Sequence, residues 1–199
     1  VDWFAIIFNP SFPYKLSHML VASGLTAAFL VAVISAYRLL KGDNKKAPQL
    51  TLKIALTVAA VLAPVQILLG DMHGLNTLEH QPQKIAAMEG IWHTEKGAPL
   101  LLFALPDEEQ KTNHFEIAIP KMASFILTHD FDGEIKGLNE FEGNHPPVAP
   151  VFFAFRIMVA LGLFMFIVAW FSRFQLWRKK QLPPWLLKVL VAMIFSGWV

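Results

Sequence analysis

Cysteine is absent from the 199 residues, which excludes disulfides and thiolate metal ligands. Charge is scarce as well: 16% of the chain is Asp, Glu, Lys or Arg against 55% hydrophobic residues, a balance that belongs to membrane proteins. No Walker motif, dinucleotide fingerprint, nucleophile elbow or HExxH pattern occurs, so nucleotide-driven, hydrolytic and zincin chemistries have no support. No repeat or low-complexity tract is visible, and no nucleic-acid partner is expected. The opening VDWFAIIFNPSFP lacks an initiator methionine, a basic leader and a small-residue cleavage site.

What the chain has in quantity is long apolar runs. Spanning segments are expected over about 16–40, 50–69 and 151–171, with a fourth opening at Trp185. Pro48, Pro150 and the Pro183-Pro184 pair lie at or just before helix starts, where a missing N–H matters least. Pro64 interrupts the second segment, which membrane helices tolerate when neighbours satisfy the freed carbonyl. The last run, WLLKVLVAMIFSGWV, has fifteen residues where about 20 are needed, so both ends read as cut from a larger subunit. The expected fold is an all-α membrane protein with four transmembrane helices, the last truncated. Its parts are helices one and two in 1–70, a long extracytoplasmic loop in 71–149, and helices three and four in 150–199.

Charge placement sets the orientation. Residues 38–53 hold Arg38, Lys41, Lys45, Lys46 and Lys53 against Asp43 alone, and 173–188 hold five basic residues and no acid. Both connections therefore face the cytoplasm by the positive-inside rule. The long connection then lies outside, with thirteen of the fifteen acidic residues and six of the seven histidines. A connection that long is a functional element or a small domain. Within it, QKIAAMEGIW reads as a helix ending near Gly90, Phe115–Leu127 as a second short helix, and Asp130–Pro147 as open loop.

Three polar or ligand-type residues fall inside apolar segments: His18 near the outer end of helix one, and Arg156 and Met158 near the outer end of helix three. An ionisable group in a span costs about 2.5–3.5 kcal/mol on insertion scales, so it faces a partner or cofactor. His18 is either an interfacial histidine bonded to a carbonyl or an axial haem ligand. Ala22, Leu25 and Phe29 follow on its face, the first leaving room for a flat macrocycle. Met158 is either core packing or a ligand, with Gly162 clearing space one turn on. Arg156 has no acid in its own helix, so it either snorkels outward or meets a haem propionate.

Three stretches now stand out together: VDWFAIIFNP…KLSHMLVASG, GDMHGLNTLEHQPQKIAAMEG and FRIMVALG. With them the whole chain resembles subunit I of the cytochrome bd-type quinol oxidases, from the fifth transmembrane helix into the eighth. The resemblance implies that His18 and Met158 are the axial ligands of a low-spin b haem, with Arg156 beside it. It implies that Gln81, Lys84 and Glu89 belong to a quinol-oxidising loop of the short form, similar to the cyanide-insensitive branch and Gram-positive relatives. Further b and d haems, the remainder of subunit I, subunit II and small accessory subunits are implied in the complete enzyme. So are ubiquinol or menaquinol as substrate and a place in the bilayer of the bacterial inner membrane. The family's amino-terminal helices and its GRQPW motif have no counterpart among these residues.

The segment 79-EHQPQKIAAMEGIWHTE-95 then reads as a quinol site. Gln81 and Lys84, three apart, share a helix face, with Lys84 bonded to a quinol oxygen and Glu89 taking its proton. Lys84 and Glu89, five apart, point about 140° from each other at 3.6 residues per turn. Met88, Ile91 and Trp92 are the expected apolar wall. His73, Glu79, His80 and His93 offer an alternative metal set. The rival to the whole reading is a haem-free transport or scaffold subunit with a polar cavity. A b cytochrome of another family would need two histidine ligands, and only His18 lies within a span.

Overall fold

The computed structural model describes residues 2–43 and 45–197. Helix α1 (Trp3–Ile7) is capped by Asp2, whose Oδ1 accepts from the backbone N–H groups of Phe4 and Ala5 at 3.0 and 3.2 Å. Three long helices follow: α2 (Phe12–Leu40), α3 (Lys46–His80) and α6 (Val148–Lys179). All three are long and apolar enough to cross a membrane. Each has an exposed apolar surface, including Leu30 and Ile34 of α2, Ile54 and Val61 of α3, and Ile167 and Trp170 of α6. The fourth segment is α7 (Pro184–Ala192), which continues as a 3₁₀ turn over Met193–Gly197. Among the described residues three helices are long enough to cross, and the fourth, expected as a truncated helix, is short.

The chain divides into two compact units, Val1–Tyr14 with Asp71–Val159, and Lys15–Gly70 with Ala160–Val199. The second unit is packed through small residues. Ala28, Ala32 and Ala36 on α2 recur every four residues, as do Ala55, Ala59 and Ala63 on α3, and all six are buried. That spacing keeps one helix face low, so backbones approach closely where apolar burial against lipid gives no driving force. Leu52, Leu56, Met165, Val168 and Leu190 fill the same core. Pro64 sits inside α3 without ending it.

The first unit departs from an all-α description. Residues 71–80, expected in the loop, continue α3 to His80. Helix α4 (Pro82–Glu89) then ends at Gly90, which adopts φ 69° as the left-handed C-cap. Beyond it come strands β1 (Glu95–Lys96), β2 (Leu100–Asp107), β3 (Thr112–Ile119) and β4 (Glu134–Ile135), with α5 (Met122–Thr128) between β3 and β4. β2 pairs antiparallel with β3, and β1 with β4. The expected helix over Phe115–Leu127 is thus split: its first part is β3, and Pro120 separates that strand from α5. The hairpin turn is built by Asp107, whose Oδ1 accepts from the N–H groups of Glu109 and Gln110 at 3.0 Å each. Glu108 in that turn also accepts from the first N–H of α6, at Val148, 2.7 Å away. The stretch expected as open loop, 130–147, contains β4 and a 3₁₀ turn over Leu138–Phe141.

Candidate functional site

Helix α4 carries the polar segment singled out in the sequence. Pro82 at its first position and Gly90 at its C-cap set its length, and Ile85, Ala86 and Ala87 bury one face. The face left open presents Gln81 and Lys84. Together with Gln83, Gly143, Asn144, His145, Pro146 and Val151 they line a cavity of about 400 Å³. Gln81 and Lys84 therefore line one cavity. His145 Nδ1 donates to the Pro146 carbonyl at 3.0 Å, leaving Nε2 as the acceptor of that ring. His145 and Asn144 were missed in the sequence, although NHPP just before a span is a turn-forming run that brings a histidine to a helix start.

Glu89 is not in the wall of that cavity. It lies at the far end of α4, buried, with its Oε2 2.7 Å from Arg156 Nη2. Arg156 also donates from Nε to the Leu101 carbonyl, and its guanidinium lies 4.8 Å from the Phe152 ring and 5.4 Å from that of Phe155. The counter-charge absent from Arg156's own helix thus arrives from 67 residues earlier in the chain. Arg156 thus meets a carboxylate of this chain, a partner its own helix does not offer. Asn113 on β3 braces the same corner, donating to the Gly90 carbonyl and accepting from Trp92 Nε1, each at 2.9 Å.

The expected apolar wall is placed differently. Ile91 and Trp92 are buried in the cores of the first unit, and Met88 packs against one of them. The cavity's apolar surface comes from Val151 and Pro146 instead. The alternative metal set does not converge: His80 Nδ1 bonds back to the Asn76 carbonyl at 3.0 Å, and His93 is exposed. Among the described residues no group of three or more His, Asp or Glu side chains is arranged to hold a metal ion.

His18, in the second unit, is half-buried on α2. Its Nε2 lies 2.9 Å from the Gln66 Nε2 of α3, so the amide donates to the ring's lone pair. That lone pair is the one an iron ligand uses, so ligation requires the amide to turn aside. Gln66 Oε1 is buried and accepts no hydrogen bond, and a Cβ built on Gly70 would lie 3.5 Å from His18 Cε1. An acceptor left over and a face kept clear by glycine fit a site that receives a further group. Leu25 and Phe29, which follow on the same face, are buried in the helical core. Met158, in the first unit, is 49% exposed, and open space surrounds Gly162.

Four groups outside the spans have perturbed acidity: the Glu95 pKa is raised, and those of Asp43, Asp107 and Glu142 are lowered. Burial and the neighbouring Glu116 carboxylate push the Glu95 carboxyl above its usual range, partly opposed by His93. Arg38 holds Asp43 below it through a 2.7 Å ion pair.

The sequence pattern of the cytochrome bd terminal oxidase subunit I family matches residues 1–199. A cytochrome bd ubiquinol oxidase subunit 1 from Bacillus subtilis (strain 168) is 30% identical, over all of this chain and 46% of its own length. A cytochrome bd-II ubiquinol oxidase subunit 1 from Escherichia coli (strain K12) is 27% identical, over 98% of this chain and 51% of its own. The solved bd oxidase from Geobacillus thermodenitrificans superposes with a TM-score of 0.87 at 28% identity, covering 99% of this chain and 46% of that one. The chain thus spans about half the length of the relatives it matches. By sequence pattern and fold together, it belongs to the cytochrome bd terminal oxidase subunit I family.

Proposed function

We propose that this chain is the quinol-oxidising part of a membrane quinol:oxygen oxidoreductase. It acts on ubiquinol or menaquinol, with 71–149 on the outer side of the bacterial cytoplasmic membrane. The observation that carries the reading is the single cavity that Gln81 and Lys84 line together. Lys84 donates to a quinol oxygen, Gln81 fixes the ring, and Val151 and Pro146 supply an apolar edge. Glu89, which lies outside the cavity wall, is the onward acceptor of the substrate's proton; its protonation breaks the ion pair with Arg156 and so ties deprotonation of the substrate to release of a buried cation. His145 Nε2 is a second acceptor at the cavity wall.

His18 and Met158 would hold the iron of a low-spin b haem, with Arg156 set to oppose its more positive, oxidised form. Bound, that haem supplies a one-electron acceptor for the substrate's electrons. Further b and d haems, the remainder of subunit I, subunit II and small accessory subunits complete the oxidase. The test is quinol oxidase kinetics beside a haem spectrum on the intact complex. Glu89→Gln is expected to lower turnover strongly, because an amide cannot act as the base. Lys84→Ala is expected to weaken apparent quinol affinity more than maximal rate. Both should leave the haem spectrum unchanged. Full activity of Glu89→Gln at saturating and limiting quinol removes this segment from the mechanism.

A further inference from the structure

The second unit holds a larger cavity, of about 530 Å³, that the proposed quinol chemistry does not use. Its walls come from the start of α3, the end of α6 and the beginning of α7. Four cations line it: Lys46 and Lys53 from α3, Arg173 from α6 and Lys180 just after that helix ends. They come in two tiers. Lys46 and Lys180 lie at the helix ends, while Lys53 and Arg173 lie seven residues further along their helices, about 10 Å deeper at 1.5 Å per residue. A spacing of seven returns to nearly the same helix face, so Lys46 and Lys53 form a ladder along α3, while Lys180 follows the end of α6.

No carboxylate answers these charges. Residues 173–188 contain no acid, and Asp43, the one acid in 38–53, is engaged by Arg38 at 2.7 Å. Among the described residues none of the four lining cations forms an ion pair with a carboxylate. Arg173 is also oriented: its Nε donates to Thr57 Oγ1 at 3.1 Å, which leaves the guanidinium Nη groups for another acceptor. Apart from Gln49 and Gln181, the rest of the wall is apolar. Leu52 and Leu187 are buried at its base, and Trp177 is 72% exposed at the same site.

We infer that this cavity binds an anionic phospholipid, its phosphate held between the two tiers of cations and its acyl chains running along the leucines. Charge alone would suit any phosphate; the apolar wall and a position at the ends of membrane-spanning helices select the lipid. Basic pockets between transmembrane helices on the cytoplasmic side have this chemistry, and the positive-inside rule assigns these helix ends to that side.

The experiment is native mass spectrometry on the intact complex, purified in detergent and titrated with dioleoyl phosphatidylglycerol, dioleoyl phosphatidylcholine or inorganic phosphate. The parent complex is expected to retain phosphatidylglycerol in preference to phosphatidylcholine. Each cation near a membrane surface is worth about fivefold in affinity, so Lys53→Gln with Arg173→Gln should weaken retention about twentyfold to thirtyfold. Lys53→Arg with Arg173→Lys should keep it, and that variant decides the matter if the glutamine pair fails to assemble. Arg178→Gln, at the same helix end but outside the cavity wall, should change retention little. Equal retention in parent and double-glutamine variant overturns the inference, as does an equal loss in Arg178→Gln, which would mean diffuse surface charge. Displacement of the lipid by millimolar inorganic phosphate overturns the lipid assignment in favour of a free anion. Lack of any lipid, with the four cations shielded from amine and guanidine labelling by another subunit, overturns it in favour of a protein contact.

Discussion

Replacing Arg156 by leucine should destabilise the first unit more than Glu89→Gln does. Arg156 and Glu89 side chains are 13% and 8% exposed, and their atoms approach to 2.7 Å. Removing the arginine leaves a buried carboxylate without its cation, a change that typically costs about 3–5 kcal/mol. The Leu101 carbonyl loses a donor at the same time. Glu89→Gln is milder, since the amide oxygen still accepts from Arg156, and a loss of about 1–2 kcal/mol is expected. The sign of the combination is the sharper test. Adding Glu89→Gln to Arg156→Leu removes the stranded charge, so the double variant should recover about 2 kcal/mol relative to Arg156→Leu alone. A multi-subunit membrane complex does not unfold in two states, so the measurement is local: hydrogen exchange of the α4 and β2 amides in the intact complex. Opening free energies for Arg156→Leu within 1 kcal/mol of the parent would refute the reasoning. So would a double variant less protected than Arg156→Leu.

Met158→Leu conserves volume at a half-exposed position, so stability should change by less than about 1 kcal/mol. If Met158 binds iron, the same variant should lower the haem's potential or admit external ligands, and an unchanged spectrum and potential would count against ligation. Asn113→Ala strands the Gly90 carbonyl and Trp92 Nε1–H together; at about 1–3 kcal/mol for each unsatisfied group, exchange at 90–92 should rise at least tenfold. Burial raises the pKa of folded Glu95, so its contribution to stability is present below its unfolded value of 4.5 and is lost as pH rises through the folded one. Glu95→Gln should therefore raise the thermal midpoint slightly at neutral pH, with the gain vanishing below that range.

The sequence by itself was enough for the membrane-spanning helices, because apolar runs of span length and the clustering of Lys and Arg at one set of ends are one-dimensional signals. The helix α4 and its Gly90 cap were legible for the same kind of reason: Pro at the start, Gly at the stop and small apolar residues between them act locally. The family motifs likewise singled out Gln81, Lys84 and Glu89 as a set, without separating their surroundings. What tertiary structure decided was which polar groups meet. Glu89 and Arg156 are 67 residues apart, and nothing in either local pattern announces the ion pair that withdraws Glu89 from the cavity holding Lys84. His145, Asn113 and Gln66 acquire their roles in the same way, from neighbours on other elements. The β2–β3 hairpin was hidden because 115–127 has helix-compatible composition; its strand state rests on pairing with 100–107 and on the Asp107 turn, interactions outside any local window. Burial and long-range pairing depend on which surfaces the fold brings together, whereas span length, charge ladders and caps are written in consecutive residues.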